Sequence, residues 1–129
     1  MNDDQLISGI DRGSAVPGGS CAFMGACGAA IGVGIAFSVI LEANPYKATA
    51  RQTVQRVTQQ VLGEITRYEA ARCCQRDSWI ALQEAAKLSG KTIGIELKAD
   101  MPLICTQFNR NKECIKTRCP LWPTKKRRE

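Results

Sequence analysis

Residues 21–41 read CAFMGACGAAIGVGIAFSVIL, and none of them carries a charge. Ala29, Ala30, Ile31, Val33, Ile35, Ala36, Phe37, Val39, Ile40 and Leu41 put apolar groups all round a helical wheel, the pattern of a helix buried on every side. Asn44-Pro45 stops it. The stretch is long enough to raise a membrane span, and Gly28-Ala29-Ala30-Ile31-Gly32 has the small-xxx-small spacing of packed membrane helices. Against a span, Gly25, Gly28, Gly32, Gly34, two cysteines and Ser38 leave its first half only weakly hydrophobic. The reading is therefore the central helix of a soluble bundle, with small residues that admit close neighbouring backbones.

Working outward, residues 1–16 form a polar N-terminal segment that turns loop-like. Pro17-Gly18-Gly19-Ser20 is a turn signal, with Ser20 as the expected helix N-cap. Downstream, Lys47 to Tyr68 is amphipathic. Val54, Val57, Val61, Ile65 and Tyr68 step by three and four, with Arg51, Gln55, Gln59 and Glu64 between them. A third helix is predicted from Asp77 or Ser78 to Leu88, with Trp79, Ile80, Leu82, Ala85, Ala86 and Leu88 apolar and Ser89-Gly90 closing it. Thr92 to Leu97 reads as a short strand and Ile104 to Phe108 as a short helix, followed by irregular chain around Pro120 and Pro123. The fold class is all-α: a small helical bundle around a glycine/alanine-rich central helix, with an irregular cysteine-rich C-terminal segment. Residues 17–123 make one cysteine-rich domain and residues 124–129 a basic tail.

A chain of 129 residues is most simply one domain. Hydrophobic residues reach 44% but aromatics only 5%, so Ala, Val, Ile and Leu must build the core. Half of the +6 net charge comes from Lys125, Lys126, Arg127, Arg128 and Glu129. A basic run with no aromatic platform reads as a solvated tail, so nucleic acid is not an expected partner. The opening MNDDQ lacks the basic start and apolar run of a secretory signal, and seven cysteines cannot all pair. A reducing cytoplasm is expected, where clustered cysteines bind metal or do redox work.

There are seven cysteines and no histidine, which removes Ser-His-Asp and Cys-His catalytic pairs. Cys105, Cys114 and Cys119 read C-x8-C-x4-C with Pro120 directly after. Thiolates are the usual ligands of iron–sulfur clusters and of four-thiolate zinc sites. Arg110, Lys112, Lys116 and Arg118 favour thiolate over thiol there. Cys73 and Cys74 are adjacent, and neighbouring side chains diverge, so both are not expected on one ion. Arg72 and Arg76 flank them, and Cys74 lies just before a predicted helix start, where the dipole also favours a thiolate. Cys21 and Cys27 bracket a glycine-rich turn. Backbone N–H groups at Gly25 and Gly28 suit an anionic cluster. The bland alternatives are cysteines packed as small hydrophobes and glycines that serve helix packing.

Three spaced motifs, Cys27-Gly28-Ala29-Ala30 with Gly32-x-Gly34-Ile35, Arg72-Cys73-Cys74-x-Arg76-x-Ser78, and Cys105-x8-Cys114-x4-Cys119-Pro120, resemble those of an uncharacterised cysteine-rich family, domain of unknown function 5714. That family occurs in anaerobic bacteria and methanogens, sometimes beside a methyltransferase domain. The resemblance covers Pro17 to Pro123 and implies an anaerobic, iron–sulfur-rich cytoplasm. It implies no established activity, and no methyl transfer for these residues. Cys27 to Gly34 is also similar to the glycine-rich helix start of iron–sulfur L-serine dehydratases.

The leading expectation is a [4Fe–4S] cluster with a redox or Lewis-acid role. Its ligand pool is Cys27, Cys74, Cys105, Cys114 and Cys119, with Gly25 and Gly28 lending backbone. A structural zinc on the same thiolates, and thiol redox or sulfur carriage by Cys73 or Cys74, are the alternatives. The partner would be a small molecule or a redox protein, and a homo-oligomer is compatible with either. Cys27, Cys74 and the Cys105–Cys119 segment should then meet at one end of the bundle, with two helix N-termini facing the anionic centre.

Overall fold

A computed structural model describes residues 1–99 and 103–123. The basic tail and Pro102 lie outside the described residues. Five α-helices and one 3-10 turn make up the regular structure, and no strand occurs among the described residues. The helices are α1 (Asp3–Ser14), α2 (Ser20–Phe23), α3 (Gly28–Ile40), α4 (Ala48–Ile65) and α5 (Cys74–Ile93), and Lys116–Arg118 forms the 3-10 turn. Helices α1, α4 and α5 each pack against α3, so the protein is an all-helical bundle around the glycine/alanine-rich helix.

The core joins Ala30, Val33 and Phe37 of α3 to Val57, Val61 and Ile65 of α4. Ile80, Ala81, Ala85 and Leu88 of α5 complete it. The stripe read along α4 is the face that faces inward, and Tyr68 packs beside it just past the helix end.

Five sequence expectations need correction. Residues 3–14 are helical rather than loop-like. Asn2 and Gln5 form a capping box, Asn2 Oδ1 accepting from Gln5 N (2.8 Å) and Gln5 Oε1 from Asn2 N (3.0 Å). The central helix is not buried all round, because Gly32 and Ala36 are exposed on its side toward α1 and α5. Three neighbours cannot enclose it, and an apolar groove of about 690 Å³ remains there.

Helix α5 starts at Cys74 and continues through Gly90 to Ile93. Gly94, with φ +69°, is the left-handed cap. Buried Ser89 donates to Ala86 O (2.9 Å) and accepts from Leu97 N (3.1 Å), so residues 95–97 fold back irregularly instead of making a strand. Residues 104–108 are not helical either, because Cys105 N pairs with Leu121 O at 2.8 Å. Among the described residues no helix is long and apolar enough to cross a membrane.

Candidate functional site

The uncharged stretch breaks at its first third, and the break sets Cys27. Gly19 (φ +81°) starts α2, and Gly25 (φ +74°) turns the chain out of it. Ser20 is not the N-cap. Its buried hydroxyl donates to Ala26 O at 2.8 Å, and Ala26 N returns a bond to Ser20 O. That clasp places Cys27 at the N-cap of α3.

Residues 103–123 fold into a closed loop. The Cys105–Leu121 bond joins its ends, the Phe108 and Trp122 rings meet at 4.7 Å, and Leu121 is only 1% exposed. Arg118 Nη1 ties the loop to Glu69 O at 3.2 Å. Within the loop the three cysteines share one local geometry. Gln107 N donates to Cys105 Sγ (3.4 Å), Lys116 N to Cys114 Sγ (3.3 Å) and Leu121 N to Cys119 Sγ (3.4 Å). Each sulfur thus accepts the amide two residues on. A thiol sulfur is a weak acceptor. A thiolate or metal-bound sulfur is favoured by such donors. Lys116 adopts a left-handed φ of +56°, which costs a non-glycine residue about 1–2 kcal/mol and goes with its amide bonding Cys114.

Cys73, Cys74, Cys105, Cys114 and Cys119 line one pocket of about 320 Å³, with Arg72, Arg76 and Arg110 also on its wall. Cys73 is extended at the N-cap and Cys74 is the first helical residue of α5. The backbone change between them lets both reach the pocket, although adjacency alone suggests divergence. Burial pushes the Cys119 thiol up from its ordinary pKa. The Leu121 amide and Arg76 pull it down, while Cys73 and Cys114 push it up again. Among the described residues no disulfide forms, and no three Cys, Asp or Glu side chains gather into the coordination sphere of a single ion. The five cysteines border one pocket without converging on a single point.

Cys27 does not line that pocket. It lines two hollows of about 310 and 280 Å³ together with Cys21, beside Asp77, and Cys74 also borders the second. Gly25 borders the first and Gly28 the second, so both glycines accompany Cys27 and neither lines the five-cysteine pocket. Cys27 Sγ donates to Asp77 Oδ2 at 3.8 Å. Burial raises the Cys27 thiol and Asp77 adds to that. The Ala29 and Ala30 amides oppose it, although neither closes a capping hydrogen bond. Asp77 in turn pairs with Arg76 at 3.4 Å, both side chains being about nine-tenths buried or more. Burial raises the Asp77 carboxyl and Arg76 pulls it back. Arg76 borders both the five-cysteine pocket and the larger Cys27 hollow. Of the expected ligands, Cys74, Cys105, Cys114 and Cys119 line one pocket together with Cys73, which lies outside the expected pool. Cys27 lines the adjoining hollow, and Cys74 borders both.

Fold and site together define a small helical-bundle protein with a cysteine-lined pocket where a looped C-terminal segment closes on the start of α5. The chain belongs to the family of unknown function DUF5714, whose sequence model matches residues 1–122. No curated protein and no solved structure matches it.

Proposed function

We propose that the five-cysteine pocket binds a [4Fe–4S] cluster, with Cys105, Cys114 and Cys119 as three ligands and Cys73 as the fourth. The observation that carries this reading is the backbone amide placed on each of the three loop sulfurs, an arrangement that suits anionic or metal-bound sulfur. A zinc ion would need four sulfurs each about 2.3 Å from one point. Five cysteines bordering a 320 Å³ hollow leave room for a polynuclear centre. When bound, such a cluster supplies electron transfer, or Lewis acidity at an iron lacking a cysteine. Arg72, Arg76 and Arg110 offset negative charge, and Leu121 and Trp122 limit water at the sulfurs. Cys74, which is exposed, stays outside this ligand set. A reducing cytoplasm and a redox partner protein accompany this reading.

The test is anaerobic preparation of the whole chain with iron, sulfide and visible-absorption assays. Iron and sulfide in equal amounts are expected. Serine at Cys73, Cys105, Cys114 or Cys119 should remove most of the colour, and serine at Cys21 or Cys27 should leave it. Protein that stays colourless and iron-free after reconstitution refutes the proposal. One zinc without sulfide would put a structural ion in its place, and a persulfide on Cys73 or Cys74 of iron-free protein would put sulfur carriage there.

A further inference from the structure

Helix α1 turns its apolar stripe the wrong way for a monomer. It meets α3 through polar and small residues. Gln5 Nε2 donates to Val39 O (3.2 Å) and Arg12 Nη1 to Ser38 Oγ (3.1 Å). A Cβ added at Gly9 would stand 4.0 Å from the methyls of Ile35 and Val39. No residue of α1 is buried. Leu6, Ile7 and Ile10 are 49%, 56% and 66% exposed, at the i, i+1, i+4 spacing of one stripe. An amphipathic surface helix normally turns that stripe to the core, and an exposed one marks an interaction surface.

The groove beside α1 has the complementary character. Gly32 and Ala36 form its floor, and Leu82, Ile95 and Leu97, exposed by 59%, 49% and 46%, stand along it. Helices recognised in such grooves anchor through residues spaced by three and four.

We infer that the Leu6–Ile7–Ile10 stripe of one copy seats in the α3–α5 groove of a second copy, as a two-fold dimer. Both halves of the contact lie on one chain, so a two-fold axis makes it twice. Charge agrees with this occupant. Helix α1 carries Asp3, Asp4 and Asp11 against Arg12, whereas Lys91 and Lys98 outnumber Glu96 around the groove residues Ile93–Leu97. The same aspartates would be repelled by an anionic lipid surface. The inference does not depend on what the cysteine pocket holds.

Sedimentation equilibrium of the whole chain over a concentration series tests it. The expected mass is twice 14.1 kDa. Ile10→Lys and Leu82→Glu alter exposed side chains and should preserve the helical circular dichroism, yet each should weaken the dimer by at least about tenfold. Mixing the two variants should restore it, since one contact is then wild type and the other opposes Lys to Glu. Tyr46→Glu, at a 95% exposed position outside the groove, should stay dimeric. A monomer at every concentration overturns the inference, as does a dimer indifferent to both charge variants. A monomer that floats with phosphatidylcholine vesicles overturns it too, and assigns the stripe to lipid.

Discussion

Gly34→Ala tests how closely α3 and α4 must approach. Gly34 is buried in α3, and an added Cβ would fall on Thr58 Oγ1, well inside contact distance; Thr58 Cβ follows at 3.6 Å and Val54 Cγ1 at 4.0 Å. Thr58 is held in the χ1 rotamer that lets its hydroxyl donate to the carbonyl four residues back. Turning it aside would break its bond to Val54 O (3.1 Å). Otherwise the helices must part and loosen the contacts of Phe37 with Val57 and Val61. Overpacking of this kind costs about 1–3 kcal/mol, against roughly 1 kcal/mol gained in helix propensity. The net expectation is a loss of about 0–2 kcal/mol, or at its centre a Tm lower by roughly 4 °C for a chain of this size.

Thr58→Ala removes the obstruction. The double variant should then be at least as stable as Thr58→Ala alone, with a coupling of about 1–3 kcal/mol. Urea unfolding followed by far-UV circular dichroism measures all four proteins. If Gly34→Ala is stabilising beside Thr58 by the full propensity gain, or changes stability equally in the wild-type and Thr58→Ala backgrounds, the close approach does not constrain the bundle.

Limited iodoacetamide treatment of metal-free protein near neutral pH, read by peptide mass spectrometry, should modify exposed Cys21 and Cys74 first. Cys119 and Cys27 should lag, because burial raises both thiols and leaves less thiolate to react. Equal labelling of Cys119 and Cys74 would contradict that account. Arg76→Met leaves the Asp77 carboxyl buried without its cation and should cost about 3–5 kcal/mol in urea unfolding. Adding Asp77→Asn should recover much of the loss. A cost below about 1 kcal/mol for Arg76→Met alone would show that the pair is not a stabilising unit.

The parts of the fold legible in the sequence are those written in local periodicity. Val54, Val57, Val61 and Ile65 recur at helical spacing, and their face is the buried face of α4. Helix α1 is hard to read because its apolar residues are few and its contacts with α3 are polar. Its local signature, Asn2 three residues before Gln5, is nevertheless present. Gly90 and Gly94 are chemically identical stop signals. Which one caps α5 is decided by Ser89, whose buried hydroxyl bonds both Ala86 and Leu97.

Seven thiols, no imidazole and the C-x8-C-x4-C spacing of the last three cysteines are legible in the residues alone. The sequence by itself also determined that a glycine/alanine-rich helix would stand at the centre of an all-helical bundle. Only the tertiary structure decided that Cys73 joins Cys105, Cys114 and Cys119 around one pocket while Cys27 stands against Asp77. The physical reason is range. Capping and periodicity act over a turn or two of chain, so residues read them directly. The meeting of sulfurs from the start of α5 with those of the distant C-terminal loop depends on the Cys105–Leu121 closure and the Arg118–Glu69 tie, and these form only once the loop packs onto that helix end.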